Sequence, residues 1–132
     1  MSVLEKYSLR LTFALSFLVV GVPYWLIPYD SVNVPNALYG PGLFVVGLSA
    51  FALRLHRTAT LRKVVLVIGG AVPAAVFARV AVEGVIDPTS HNLWPLEVVI
   101  ALFVGFAVAL PAAVVGNLLG AVWISDRAHR ER

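Results

Sequence analysis

The sequence predicts an all-α integral membrane protein, a four-helix bundle built of two helical hairpins with both termini cytoplasmic. Three observations predict it. Of the 132 residues, 60% are hydrophobic and 13% are charged, and mean hydropathy is +0.90, whereas soluble domains carry about a quarter charged residues. Four apolar runs, each near the ~20 residues that a spanning helix requires, occupy about 11–27, 38–53, 64–86 and 96–123. Finally, nine of the ten Lys and Arg residues fall where a four-span chain would expose one side of the membrane.

The first run ends in "VPYWLIPYD" and lacks a small-x-small cleavage pattern, so it reads as a retained helix rather than a removable signal. The second is short unless the turn at Tyr39 contributes to it. The third ends at "IDP", because Pro88 disfavours helical geometry at Asp87. The fourth begins after "SHNLWP", where Asn92 is a capping residue and Pro95 is tolerated in the first turn. Pro23, Pro73 and Pro111 fall inside the runs and are expected to bend them.

Lys6 and Arg10, then Arg54, Arg57, Arg62 and Lys63, then Arg127, Arg130 and Arg132 share one side, which the positive-inside rule makes cytoplasmic. Against Glu5, Asp126 and Glu131 they leave that side at +6; Arg79 against Asp30, Glu83, Asp87 and Glu97 leaves the outer side at −3, together the chain's +3. Tyr24, Trp25, Tyr29, Tyr39 and Trp94 gather at the outer interface and Tyr7 and Trp123 at the inner one, the positions amphipathic rings prefer. The predicted location is therefore a bacterial-type inner membrane. Basic charge confined to segment ends gives no footprint for nucleic acid.

The halves resemble each other weakly. Outer turns "DSVNVPNALYGP" and "DPTSHNLWP" share an order of turn residues, and "RLHR" and "RAHR" recur at 54–57 and 127–130, a pattern that a parallel duplication would leave.

Residues four apart share a helix face. Ala71, Ala75, Arg79, Glu83 and Asp87 make one stripe on the third span. Glu97, Ala101, Gly105, Ala109 and Ala113, continuing to Gly116 and Gly120, make another on the fourth. Small residues of this kind, including the Gly-x-x-x-Gly of "GNLLG", allow close helix approach. A hairpin folded about Ser90 brings Arg79 between Glu83 and Glu97, and pairing inside the bundle relieves a cost of at least about 2.5 kcal/mol per charge near mid-bilayer.

The cluster Arg79, Glu83, Asp87, His91 and Glu97, with Asp30 nearby, reads either as a structural ion pair or as an outward-facing site for a cation, proton or cationic substrate. No pair among these residues has a recognised metal-ligand spacing, and no cofactor is implied. Cysteine is absent, and no nucleophile, zinc-helix or phosphate-loop motif points to an enzyme. The function expected is an accessory or assembly subunit, or a membrane-embedded interaction module. It would be held in the lipid bilayer beside a membrane-protein partner or a second copy of itself. The alternative is a small homo-oligomeric transporter or channel. Because the chain has no cysteine, Ala128→Cys tests orientation cleanly: an impermeant thiol reagent should label it only after the cell membrane is opened, and labelling of intact spheroplasts would contradict the cytoplasmic assignment.

Overall fold

The structure, a computed structural model, describes residues 3–27, 38, 40–86 and 94–132. It is all-helical, with no strand among the described residues. Its elements are α1 (Val3–Trp25), α2 (Pro41–Leu55), α3 (Leu61–Gly69), α4 (Ala71–Ile86) and α5 (Trp94–Arg130). Gly70 alone separates α3 from α4, so the two are successive halves of one apolar stretch, Leu61–Ile86. Among the described residues, three helical stretches, Val3–Trp25, Leu61–Ile86 and Trp94–Arg130, are long and apolar enough to cross a membrane.

Helix lengths depart from the apolar runs for local reasons. α1 begins at Val3, ahead of its apolar run, because nothing in "VLEKYSLR" breaks a helix and Glu5 suits its first turn. α2 starts only at Pro41, which fits N1, where a missing N–H costs nothing. With 15 residues it is about 22 Å long, shorter than the ~30 Å hydrocarbon core. α5, with 37 residues, reaches about 55 Å and passes through Pro111 without interruption. From Ala121 onward every residue of α5 is exposed.

The connection from α2 to α3 is built from specific caps. Thr58 N–H donates to the Leu53 carbonyl at 2.9 Å and Arg57 N–H to the Arg54 carbonyl at 3.1 Å, the paired bonds of a Schellman ending. That ending requires a left-handed residue, and Arg57 supplies it with φ 53° where glycine is usual. Thr60 then caps α3, its hydroxyl accepting from Lys63 N–H at 3.3 Å.

The core is made of small and β-branched residues: Val46, Ala50, Val64, Ile68, Val72, Ala75 and Val76 from α2 to α4, and Ala101, Ala109 and Ala113 from α5. Buried positions on α5 are Ala101, Gly105, Ala109, Ala113, Gly116 and Gly120, so this stripe faces the other helices. The most extensive packing joins α5 to α2, which belong to different hairpins in the sequence-based scheme. A Cβ on Gly116 would meet the Phe51 carbonyl oxygen, and one on Gly120 would stand 2.8 Å from that of Leu55. Here α5 and α2 run side by side in the same direction, backbone against backbone.

Two prolines share one device. Pro73 has no N–H to give the carbonyl four residues back, that of Gly69, and Gly105 lies against that oxygen so closely that a Cβ there would clash with it. Likewise Pro23 leaves the Val19 carbonyl without its helical donor, and Gly42 lies against it, where a Cβ would be 2.8 Å away. Each glycine lets a neighbouring helix cover a carbonyl that proline has released, and its Cα hydrogens are weak donors.

Gly105→Ala should therefore lower the thermal midpoint in detergent, by an amount corresponding to about 2 kcal/mol, the usual cost of overpacking. Gly84→Ala, where nothing lies within 4 Å of an added Cβ, should be neutral or stabilising; equal losses at both sites would refute the close-approach account.

Candidate functional site

The charged end of the α1–α4 contact is organised by Arg79. It lies on α4 one turn before Glu83, and its side chain is only 4% exposed. Its Nε donates to Glu83 Oε1 at 2.7 Å, and its two terminal nitrogens donate to the carbonyls of Tyr24 and Ile27, each at 2.6 Å. The Tyr24 carbonyl lies in the last turn of α1 and the Ile27 carbonyl two residues past its end, where the regular helical donors run out and the helix dipole is negative. The guanidinium also stands 5.1 Å from the centroid of the Tyr24 ring, within cation–π range. One planar fork thus satisfies a carboxylate, two backbone acceptors and an aromatic face, which a lysine ammonium could not do.

Tyr24 itself is fully buried. The sequence predicts an aromatic anchor at the outer interface, and in the structure the Tyr24 ring is packed inside the bundle beneath the Arg79 guanidinium. Its hydroxyl makes no hydrogen bond among the described residues and lies within electrostatic reach of Glu97, Arg79 and Glu83. Glu97 occupies the first turn of α5 and is half-buried. The structure therefore brings Arg79 and Glu83 together beside the Tyr24 ring, with Glu97 in the first turn of α5. Asp30, Asp87 and His91 lie outside the described residues.

Trp25 completes this end. Its indole folds back over Gly21, which has no room for a side chain beneath it, and Nε1 donates to the Ala75 carbonyl of α4 at 2.9 Å. Beside it, Trp25, Ala78, Arg79, Val82 and Glu83 line an opening of about 250 Å³.

The opposite end has a second buried arginine that sequence reasoning did not single out. Arg54 donates to the Ala59 carbonyl and to Asn117 Oδ1 of α5, tying the α2–α3 connection to α5 where Gly116 and Gly120 bring the backbones together. Nearby, Lys63 pairs with Glu5 at 3.0 Å, joining the starts of α3 and α1. Trp123 lies edge-on to His56 and beneath the Arg127 guanidinium. The signal for Arg54 was present as an arginine inside α2's last turn and an asparagine inside an apolar helix, two groups that need partners in lipid.

Comparisons with protein-family models, with curated proteins and with solved structures found no match.

Arg79→Leu should cost about 3 kcal/mol of stability, since it strips donors from a partly buried carboxylate and two helix-end carbonyls. Arg79→Lys should recover only part of it. In a double-mutant cycle on thermal midpoints, Arg79→Leu combined with Glu83→Gln should lose less than the sum of the single changes, and strict additivity would contradict the pairing. The same cycle with Glu97→Gln measures whether Glu97 belongs to the cluster.

Proposed function

We propose that this protein is a non-enzymatic membrane-embedded interaction module, an accessory or assembly subunit of a bacterial-type inner-membrane complex, spanning four times with both termini cytoplasmic. The observation that carries the reading is how the buried polar groups are used. Among the described residues, the buried polar side chains are Ser16, Arg54 and Arg79. Both arginines bind backbone carbonyls outside helix interiors, Arg79 at and just past the end of α1 and Arg54 in the α2–α3 connection, and the core between them is mostly Ala, Val, Ile and Leu. Two buried hydroxyls among the described residues, those of Ser16 and Tyr24, offer a solute no continuous polar lane, whereas a clasped, close-packed bundle suits a scaffold.

The topology is supported by the charge asymmetry together with these contacts. Glu5, Lys63, Arg54 and Asn117 meet at the basic end, and Tyr24, Arg79 and Glu83 meet at the acidic one. The surface left for a partner or for lipid is apolar: Phe44, Leu48, Phe103 and Leu118 are exposed. Close-packed helices with small-residue faces also support self-association as one form of partnership.

A second reading, a small homo-oligomeric transporter or channel for a cation, proton or cationic substrate, draws on one observation. An opening of about 250 Å³ beside Trp25 is lined by both Arg79 and Glu83.

The two readings separate experimentally. Extraction of native membranes in mild detergent should yield the chain with a stoichiometric membrane-protein partner or as a defined homo-oligomer without transport activity. A chain that purifies as a lone monomer overturns the subunit reading, and proteoliposome flux abolished by Glu97→Gln with folding intact establishes the transport reading in its place.

A further inference from the structure

We propose that the groove between the N-terminal half of α1 and α3 binds an anionic phospholipid, its phosphate held by Lys6 and Arg10 and an acyl chain lying along Leu9, Phe13 and Val67. The proposal rests on the membrane reading above. These five residues line an opening of about 390 Å³. Lys6 and Arg10 are four residues apart on α1, so both present their charges along one face, with Cβ atoms about 6 Å apart. Leu9 and Phe13 repeat that spacing and form the wall beside them, and Phe13 lies about 10 Å from Lys6 along the helix, toward the apolar interior.

Among the described residues the two cations enter no ion pair, whereas Glu5, the acid of that same turn, is held by Lys63 of α3. Leu9 is buried at the base of the groove while Lys6 and Arg10 are exposed at its rim. Charge at the mouth and apolar walls below are complementary to one ligand class, an amphiphile with an anionic head. The groove also lies at the end of the chain that carries +6 by sequence, the side where anionic headgroups meet basic pockets between spanning helices. A free phosphate would find the two cations but nothing to occupy the Phe13 and Val67 walls.

The test uses the full chain, delipidated in dodecyl maltoside and titrated with phosphatidylglycerol, phosphatidylcholine or glycerol phosphate. Thermal midpoint and native mass spectrometry are the readouts. Phosphatidylglycerol should raise the midpoint by about 4 °C or more and persist as a one-to-one adduct, and the other two should do neither. Lys6→Gln with Arg10→Gln should lose both effects while keeping wild-type helical circular dichroism, and Arg130→Gln, outside the groove, should keep them. Val67→Trp, which fills the groove and leaves both cations in place, should also lose the adduct, so the proposal stays testable if the charge variant misfolds. An adduct that survives in either groove variant, disappears equally in Arg130→Gln, or forms with phosphatidylcholine overturns the lipid site. So does glycerol phosphate stabilising as well as the lipid. Alkaline carbonate extraction separates this from failure of the membrane reading: a chain released to the supernatant refutes the membrane reading, whereas a retained chain without lipid selectivity refutes the lipid site alone.

Discussion

The structure depends on the need to give every backbone carbonyl a partner when water is absent. Helix interiors meet it internally; helix ends and the residues preceding a proline by four do not. Arg79 answers it at the C-terminal end of α1, and Arg54 answers it at the connection after α2. Gly42 and Gly105 bring a neighbouring backbone over the carbonyls that Pro23 and Pro73 release. The two buried arginines are therefore placed where backbone bonding is interrupted, which gives them a structural reason to be there before any ligand is invoked.

Close approach follows from the same constraint. An arginine that must reach across to another helix end, or an asparagine that must meet Arg54, works only if the backbones are near. The Ala and Gly stripe of α5 supplies that proximity along α2 and α3 together. In lipid such packing, rather than a hydrophobic drive between helices, supplies much of the association energy. The short α2 has its most extensive packing against the long α5.

Part of the candidate site could be read directly from spacing. Four-residue steps placed Arg79 beside Glu83 and put Gly105, Gly116 and Gly120 on one face, and the structure has Arg79 bonded to Glu83 and those glycines buried. The partner of Arg79 on α1 could not be read this way. Tyr24 and Ile27 are 55 and 52 residues away from it, and periodicity says which residues share a face without saying which helix that face will meet. Tyr24 illustrates the limit most clearly, since a tyrosine near the end of an apolar run has the composition of an interfacial anchor and becomes a core residue only because Arg79 arrives over its ring.

The sequence by itself determined the helical class, the long apolar stretches, the asymmetry of charge and the faces along which small residues run. All of these follow from local composition and the 3.6-residue period. Tertiary structure decided that α5 packs most extensively on α2, that the end of α1 receives Arg79, and that Arg54 and Asn117 meet. It also decided that two cations on α1 line the mouth of an apolar groove against α3. These depend on distances between segments far apart in the chain, which only the packed arrangement of helices sets.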